Sequence, residues 1–336
     1  MGYSAGIDLG ATHVRAVVAE TTTKRILDGN DPIVVGRDRR STPQGPTGDR
    51  VTAGVLDCLR DACGAAGIDP TDLEAVGVGS IGPLDRDAGA AVRPPNLSGD
   101  VGRVILVDPI ADLTGLSATE SVVLHNDTIA AITGERELVP DTPENAAYLT
   151  ISSGIGAGVC VDGQILSGWN GNAGEVGHVT VDSNGRLPCG CGKDGHWEAY
   201  CSGENLPDFA RLLHHEEPTE TALPLSDEEF AAPDVFDHAP EDDFAARVVD
   251  RMADLNALGV ATIVHAYAPG VVSIGGSVAL ENEALVIDAI RDRLEAHVIT
   301  NVPEIRPTPL GQDVVVKGAL ASAVSGTGQP SSDGTS

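Results

Sequence analysis

Side chains that bind transition metals lie close together near the middle of the chain. The segment from residue 175 to 198 begins Glu-Val-Gly-His, continues with Cys-Gly-Cys and ends His-Trp-Glu. Two imidazoles and two thiols form the closed tetrahedral donor set of a structural zinc site. Their spacing differs from that of a DNA-binding zinc finger, so DNA binding does not follow. The predicted zinc ligands are His178, Cys189, Cys191 and His196.

The same segment carries two carboxylates, Glu175 and Glu198. A loop that is held by a metal is rigid, so both groups could be aimed at the hydroxyls of a polyol. The alternative is that they are ordinary surface glutamates, because the chain contains 50 acidic residues.

Two glycine-rich turns between apolar strands could bring backbone N–H groups to phosphate oxygens. The first spans residues 8–13 and includes a carboxylate that could help to organise a magnesium ion. The second spans residues 152–158. Either turn alone could be a hairpin without a ligand, but the two together favour phosphate binding. Neither is a P-loop, since the chain has no Gly-Lys-Ser/Thr triplet. The predicted phosphate-binding residues are Asp8, Gly10, Thr12, Ser153, Gly154 and Gly156.

Two further dipeptides follow predicted strands. Asn126-Asp127 opens a helix, so Asp127 lies where ligands bind in α/β folds, although a helix cap is the alternative. Gly275-Gly276 would let a nucleotide base and ribose lie against bare backbone, but an ordinary strand-to-helix turn also explains it.

The elements that position these residues alternate between strand and helix. Strand, glycine turn and strand occur twice, about 145 residues apart. Between and after them, apolar periodicity predicts further strands and helices, which favours α/β layers. Little apolar periodicity is present in 214–243, which predicts a solvated loop or short helices. The predicted helices are 51–66, 109–114, 128–138, 244–265, 283–297 and 315–324.

The chain is strongly acidic. Its net charge is −29, and its only lysines are Lys24, Lys193 and Lys317. We interpret this charge as adaptation to a salt-rich cytoplasm, where salt screens the mutual repulsion of the carboxylates. An acidic protein of an ordinary cell is the alternative. Nucleic acid is excluded as a partner, because phosphate contacts need clustered Lys and Arg.

Apolar runs are too short to span a membrane, and the amino terminus lacks a basic region followed by an apolar stretch. A cytoplasmic location without membrane contact is therefore expected. Six cysteines in such a chain do not indicate a disulfide framework.

Taken in order, these motifs resemble those of the ROK family (repressor, open reading frame, kinase) of sugar kinases and sugar-responsive repressors. The resemblance covers about residues 3–325, and the glutamate-histidine and cysteine segments are specific to this family. The matching segments are 8–15, 79–83, 94–97, 126–127, 153–156, 174–178, 189–192 through 198, and 274–276.

The resemblance implies an actin-like ATPase (ribonuclease H-like) fold of two α/β domains, with ATP and sugar in the cleft between them. The N-terminal domain is expected at 1–125 and the C-terminal domain at 126–312. A helix at 313–325 is expected to return to the N-terminal domain, and 326–336 should be a disordered tail.

The resemblance also assigns roles. Asp127 resembles the general base that accepts the proton of the attacking sugar hydroxyl. His178 would place one ring nitrogen on zinc and the other on a sugar hydroxyl. The residues that resemble sugar-binding positions are Asn126, Asp127, Glu175, His178 and Glu198, with Gly82 and Asn96 from the other domain.

This chain departs from the family pattern at three positions. His196 replaces a cysteine; histidine binds zinc well, but Cys201 could be the fourth ligand instead. Ala11 and Ala157 replace glycines of the phosphate turns, and no loss of activity is expected from one methyl group.

The resemblance therefore implies an ATP-dependent glucokinase that uses Mg²⁺ and structural Zn²⁺ and acts as a homodimer or higher homo-oligomer. Kinases for fructose, N-acetylmannosamine or N-acetylglucosamine are the first alternative. A sugar-sensing repressor is the second; such proteins carry an additional amino-terminal helix-turn-helix domain, for which no room precedes the turn at Asp8.

Overall fold

The computed structural model describes residues 2–21, 32–94, 96–99, 101–169 and 171–325. The predicted tail at 326–336 lies outside them. The described chain forms two compact units. Unit 1 takes the described residues within Met1–Thr142, Ile165–Ala173 and Asp313–Ser336, and unit 2 takes those within Pro143–Gln164 and Gly174–Gln312.

The described chain contains both strands and helices, as the sequence predicts. The strands are β1 (Gly2–Leu9), β2 (His13–Thr21), β3 (Ile33–Ser41), β4 (Leu73–Ser80), β5 (Leu84–Asp85), β6 (Ala90–Val92), β7 (Arg103–Ile105), β8 (Val122–Asn126), β9 (Ala146–Ile151), β10 (Ile155–Val161), β11 (Gln164–Ile165), β12 (Val271–Gly275) and β13 (Glu304–Pro307). The α-helices are α1 (Gly48–Ala66), α2 (Val107–Thr114), α3 (Asp127–Leu138), α4 (Glu198–Cys201), α5 (Leu206–Glu216), α6 (Ala232–His238), α7 (Asp243–Tyr267), α8 (Ser277–Glu281), α9 (Ala289–Leu294) and α10 (Val314–Ser325).

Both units contain a five-stranded sheet with the same strand order. In unit 1 the order is β3-β2-β1-β4-β8, and in unit 2 it is β11-β10-β9-β12-β13. Strand β1 is antiparallel to β2, and β9 is antiparallel to β10. By contrast, β1, β4 and β8 run parallel, as do β9, β12 and β13. This repeated order is that of the actin-like ATPase fold, so the predicted fold class is confirmed. A small sheet, β5-β6-β7, completes unit 1.

Helices pack closely on the sheet of unit 1 because glycines face them. A Cβ atom at Gly6 or Gly77 of the sheet would overlap a backbone carbonyl of α10, and one at Gly36 would overlap a carbonyl of α1. Gly318 of α10 in turn lies against the backbone of Ala130 in α3. Helices α3 and α10 thus pack together, and close packing of α10 and α1 on the sheet helps to bury the apolar strands.

The domain change predicted between residues 125 and 126 falls at the junction of β8 and α3. In the structure, α3 packs against α10 within unit 1, and the chain first leaves that unit after Thr142. The helix that was expected to return at 313–325 is α10, which is part of unit 1.

Several elements differ from the sequence-based expectation. Strand β3 was not predicted, because the charged run 37–40 interrupts the apolar pattern of an edge strand. The helix expected at 283–297 consists of a π-helical turn (Ala284–Asp288), α9 and a 3-10 turn (Glu295–His297). Among the helices that the structure describes, none has the length and apolar character needed to cross a bilayer.

Candidate active site and metal centre

Unit 2 brings the four predicted zinc ligands together. The ligand atoms of His178, Cys189, Cys191 and His196 all lie within 4.8 Å of one another. Sγ of Cys189 is 3.6 Å from Nδ1 of His178, and Sγ of Cys191 is 3.3 Å from Nδ1 of His196. In a tetrahedral site with Zn–S of about 2.3 Å and Zn–N of about 2.0 Å, such pairs are roughly 3.5 Å apart. The donor set therefore fits a zinc ion.

Short turns and one β-bridge place these ligands. A 3-10 turn at Val176–His178 sets the first histidine, and a bridge between Thr180 and His196 returns the chain to it. The N–H of Cys189 donates to the carbonyl of Lys193 at 2.7 Å and so closes a turn that contains Cys191. The ligands are thus close in sequence and are held by local hydrogen bonds.

The carboxylate of Asp182 stabilises the loop that carries the predicted zinc ligands. Asp182 accepts hydrogen bonds from the Tyr200 hydroxyl at 2.7 Å, from Nε of Arg186 at 2.8 Å and from the N–H of Asn184 at 3.0 Å. Burial opposes ionisation, but these hydrogen bonds outweigh it and lower the pKa of Asp182 to about 2. The N–H of Leu187 donates to the Tyr200 oxygen at 3.0 Å. Protein contacts therefore support the loop in addition to any metal.

Cys201, the alternative fourth ligand, lies elsewhere. Its buried thiol donates to the carbonyl of Met252 at 3.7 Å. Burial raises the pKa of this thiol well above its usual value, whereas zinc binds the thiolate. Among the described residues, His196 and not Cys201 joins the cluster.

The two ring nitrogens of His178 face different partners. Nδ1 faces Cys189, whereas Nε2 lies 3.8 Å from Oε2 of Glu175. Oε2 of Glu198 accepts a hydrogen bond from the N–H of Ile155 at 2.8 Å. The double role predicted for His178 requires this division of its nitrogens between metal and substrate.

The side chain of Glu175 is 48% exposed, but neighbouring protein atoms displace part of the water around its carboxylate. Loss of solvent around it raises its pKa; the nearby His178 opposes this shift, and the Glu198 carboxylate adds to it. Two carboxylates and an imidazole thus converge beside the metal cluster, which is suited to hydrogen bonding with a polyhydroxyl ligand.

Three loops of unit 2 meet at the second glycine turn. The Ser152 hydroxyl is 3.0 Å from that of Ser277, and the Ser152 carbonyl accepts from the N–H of Gly203 at 2.7 Å. Gly276 has a φ of 90°, and a Cβ there would overlap the carbonyl of Ile151. Sequence motifs did not point to Gly203 or Ser277, and Ser152 lies in the predicted turn 152–158 without an assigned role. The predicted groups that the structure brings to this place are Ser153, Gly154 and Gly156 with Gly275 and Gly276.

The first glycine turn, in unit 1, is closed by hydrogen bonds. The N–H of Gly10 donates to the carbonyl of His13 at 3.0 Å, and the Thr42 hydroxyl donates to the carbonyl of Gly10 at 2.7 Å. Thr12 is exposed, so its hydroxyl is available to a ligand.

Asp8 lies at the base of this turn. Oδ2 of Asp8 accepts from Nη1 of Arg15 at 3.2 Å. Burial nevertheless raises the pKa of Asp8 to about 6, and Arg15 only partly offsets that shift. A cation bound nearby would favour the ionised form.

Asn126 and Asp127 divide two tasks. Oδ1 of Asn126 accepts from the N–H of Ile129 at 3.0 Å and from the Thr128 hydroxyl at 2.7 Å, so Asn126 caps α3. The half-buried Asp127 accepts from the N–H of Thr128 at 2.8 Å. The capping alternative therefore accounts for Asn126 and not for the carboxylate of Asp127.

Parallel pairing brings the predicted site residues of unit 1 to the carboxyl ends of three neighbouring strands. Leu9 pairs with Ser80, and Ser80 pairs with Asn126, so β1, β4 and β8 end side by side. The first phosphate turn, Gly82 and Asp127 follow these strand ends.

Gly82 adjoins a side chain that sequence reasoning missed. Oδ1 of Asn172 accepts from the N–H of Leu84 at 3.0 Å, and Nδ2 donates to the Leu84 carbonyl at 3.3 Å. A Cβ at Gly82 would be 3.8 Å from this oxygen. Asn96 is exposed in the turn that follows Pro94.

The chain is similar to known proteins over most of its length. A model of the ROK family matches residues 4–325. A glucokinase of Pyrobaculum calidifontis is 36% identical over 321 residues, which cover 95% of this chain and 94% of that protein. The crystal structure of a ROK hexokinase from Thermus thermophilus is 30% identical with a TM-score of 0.72, covering 95% of this chain and 97% of that one.

A second solved structure is a ROK family glucokinase from Streptomyces griseus in complex with glucose and AMPPNP. It is 26% identical with a TM-score of 0.73 and covers 95% of this chain and 98% of that one. Because the family match and these relatives span nearly the whole chain, and the chain carries the motifs in order, the protein belongs to the ROK family.

Proposed function

We propose that this protein is an ATP-dependent glucokinase, which transfers the γ-phosphoryl group of ATP to the 6-hydroxyl of glucose. The observation that carries the proposal is the environment of His178, whose Nδ1 faces Cys189 and whose Nε2 faces Glu175. With a metal on the four ligands, this geometry would hold an imidazole firmly beside carboxylates. The ROK hexokinase and glucokinases to which the chain is similar support the choice of sugar and donor.

Sugar hydroxyls would bind to the carboxylates and the imidazole beside the metal ligands, and to amide and backbone groups at the other predicted positions. The proposed sugar-binding residues are Asn126, Asp127, Glu175, His178, Glu198, Asn96 and Gly82.

Asp127 would accept the proton of the attacking hydroxyl. Phosphoryl transfer needs alignment, charge neutralisation and a positioned base rather than covalent catalysis. The carboxylate of Asp127 stands at the N-terminus of α3, and its capping task is taken by Asn126. The proposed base is therefore the first residue of the helix, next to its capping residue.

The two glycine turns would hold the donor. The backbones of Gly10, Gly154 and Gly156 would approach the phosphate oxygens together with the Thr12 and Ser153 hydroxyls, and Gly275 and Gly276 would lie against the nucleoside. Asp8 would help to hold Mg²⁺. When bound, Mg²⁺ neutralises the charge of the phosphates.

His178, Cys189, Cys191 and His196 would hold a structural Zn²⁺, which stiffens the loop that carries Glu175 and Glu198. From the family resemblance we further infer a cytoplasmic location and a homodimer or higher homo-oligomer. Light scattering in KCl would measure that assembly.

ADP release in molar KCl with Mg-ATP tests the function across glucose, fructose, mannose, N-acetylmannosamine and N-acetylglucosamine. We expect the highest kcat/KM with glucose. Preference for another sugar would retain the chemistry and change the substrate, and absence of turnover with every sugar would overturn the kinase proposal.

A further inference from the structure

Trp197 stands between two residues of the proposed site, His196 and Glu198. Its indole is completely buried. A buried indole needs an acceptor for its N–H group, and here Nε1 donates to Oδ1 of Asn256 at 2.8 Å. Asn256 belongs to α7, which supplies none of the predicted site residues.

Asn256 is itself an unusual core residue. It is completely buried, and its Nδ2 has no hydrogen-bond partner within the described residues. Exchange of the amide oxygen and nitrogen would not help, because it would turn a donor towards the indole N–H of Trp197. A buried polar atom without a partner disfavours folding, and an apolar pair in place of Trp197 and Asn256 would avoid that penalty. Packing alone therefore does not explain Asn256.

The same face of α7 makes two more contacts with the segment. Met252, Asn256 and Gly259 are spaced i, i+4 and i+7, so they lie on one side of the helix. A Cβ at Gly259 would overlap the Trp197 ring, and the Met252 carbonyl accepts from the Cys201 thiol at 3.7 Å. The absence of a side chain at Gly259 therefore leaves the space on this helix face that the indole of Trp197 occupies.

The backbone connects this face to the site. The N–H of Trp197 donates to the carbonyl of Val179 at 2.9 Å, next to His178, and Glu198 reaches the N–H of Ile155. A rotation or shift of the indole would therefore move a predicted metal ligand on one side and a predicted sugar ligand on the other.

We infer that Asn256 and Gly259 form a seat for Trp197 that positions His196 and Glu198, which makes Asn256 a positioning residue for sugar and metal binding. The sugar part rests on the proposed function, whereas the metal part does not. Replacing a residue that orients a metal ligand typically lowers metal affinity or activity about 10- to 100-fold.

Two variants disturb the seat. Asn256→Leu removes the acceptor and keeps a side chain of similar size, and Gly259→Ala pushes on the ring while the hydrogen bond remains possible. Both are expected to lower kcat/KM for glucose about 10- to 100-fold, mainly through KM, with a smaller change in KM for ATP. Val248→Ala is the matched control, because it opens a cavity in the same helix two turns away.

A double variant separates positioning from stability. Trp197→Phe combined with Asn256→Leu removes donor and acceptor together, so no buried polar group is left and the melting temperature should recover. The KM for glucose should stay raised, because the seat no longer fixes the ring. Recovery of KM together with the melting temperature would mean that Asn256 is merely structural.

Zinc loss to a chromophoric chelator gives a readout that is independent of turnover. Asn256→Leu and Gly259→Ala should lose zinc faster than the unaltered protein and Val248→Ala. Unchanged zinc loss and unchanged KM in both variants would overturn the inference. If the unaltered protein phosphorylates no sugar, the proposed function fails, but zinc loss still tests the seat.

Discussion

Asp127 and Asp8 are the two carboxylates of unit 1 with proposed chemical roles: Asp127 as the general base and Asp8 as a group that helps to hold Mg²⁺. Asp127 is the first residue of α3, and the side chain of its neighbour Asn126 caps that helix. Asp8 is buried beside Arg15 in the turn proposed for phosphate. Each can be tested with a change of very few atoms.

Asp127→Asn should lower kcat about 10²- to 10⁴-fold, because an amide cannot accept the proton of the sugar hydroxyl. Glucose binding, measured by calorimetry, should be nearly unchanged. Asp108→Asn is the matched control, since Asp108 is an exposed carboxylate in the first turn of another helix. Normal ADP release by Asp127→Asn would remove the base assignment.

Asp8→Asn should stabilise the ligand-free protein at neutral pH. The pKa of Asp8 is about 6 in the folded protein against the usual 3.8, so the unfolded chain releases this proton first. Stability is therefore lost as pH rises from about 4 to about 6, and the loss is complete above that.

The gain from Asp8→Asn is at most about 3 kcal/mol at pH 8 and roughly half as large at pH 5, less whatever the lost Arg15 contact contributed. Urea unfolding in high KCl at both pH values measures it. An equal effect at pH 5 and pH 8 would contradict the raised pKa.

At the scale of elements, the proposed metal and nucleotide sites of unit 2 lie on loops, and each loop is held by contacts with neighbouring residues. The metal loop has its own support through Asp182 and Tyr200, and the nucleotide side has Gly276 pressed against Ile151. Changes in these loops should therefore affect binding before they affect global folding.

Cys191→Ser should remove bound zinc and raise KM for glucose, because the cluster loses one of four donors. Cys201→Ala should retain one zinc ion per chain, since its thiol faces Met252 instead. Elemental analysis of both purified variants measures this. Loss of zinc from Cys201→Ala would reverse the choice of His196 over Cys201 as the fourth ligand, and zinc that survives in Cys191→Ser would remove Cys191 from the ligand set.

Gly276→Ala should raise KM for ATP and destabilise the protein by about 1–3 kcal/mol, because its positive φ and the Ile151 carbonyl both oppose a Cβ. Gly64→Ala is the control: it lies in α1 with open space around it and should stabilise the helix by up to about 1 kcal/mol. Steady-state kinetics and thermal unfolding test the pair, and an unchanged KM in Gly276→Ala would argue against a nucleotide at this turn.

At the scale of the whole molecule, the charge of −29 governs behaviour in solution. Raising KCl from 0.1 M to 1 M shortens the Debye length from about 10 Å to about 3 Å, which screens repulsion between carboxylates. The melting temperature should therefore rise with KCl. Glu228→Gln with Glu229→Gln, at two exposed positions, should lower the salt concentration that is needed. A melting temperature independent of KCl would contradict adaptation to salt.

The α/β architecture was predictable because strand and helix periodicities are local, and the repeated strand, glycine turn and strand indicated two similar units. Strand β3 was missed since its charged residues hide the alternation of an edge strand. The division of the chain was harder to predict, because whether α3 packs with one sheet or the other depends on helix α10 near the far end of the sequence.

By itself, the sequence determined the chemistry that is available: His178, Cys189 and Cys191 lie within a short segment, so residue type and spacing already indicate a zinc site. Only the tertiary structure selected His196 over Cys201 and joined Ser152 to Ser277 across 125 residues. It also placed Asn256 against the ring of Trp197. The physical reason is that contacts between distant residues depend on how whole elements pack, and no local pattern of residues records that packing.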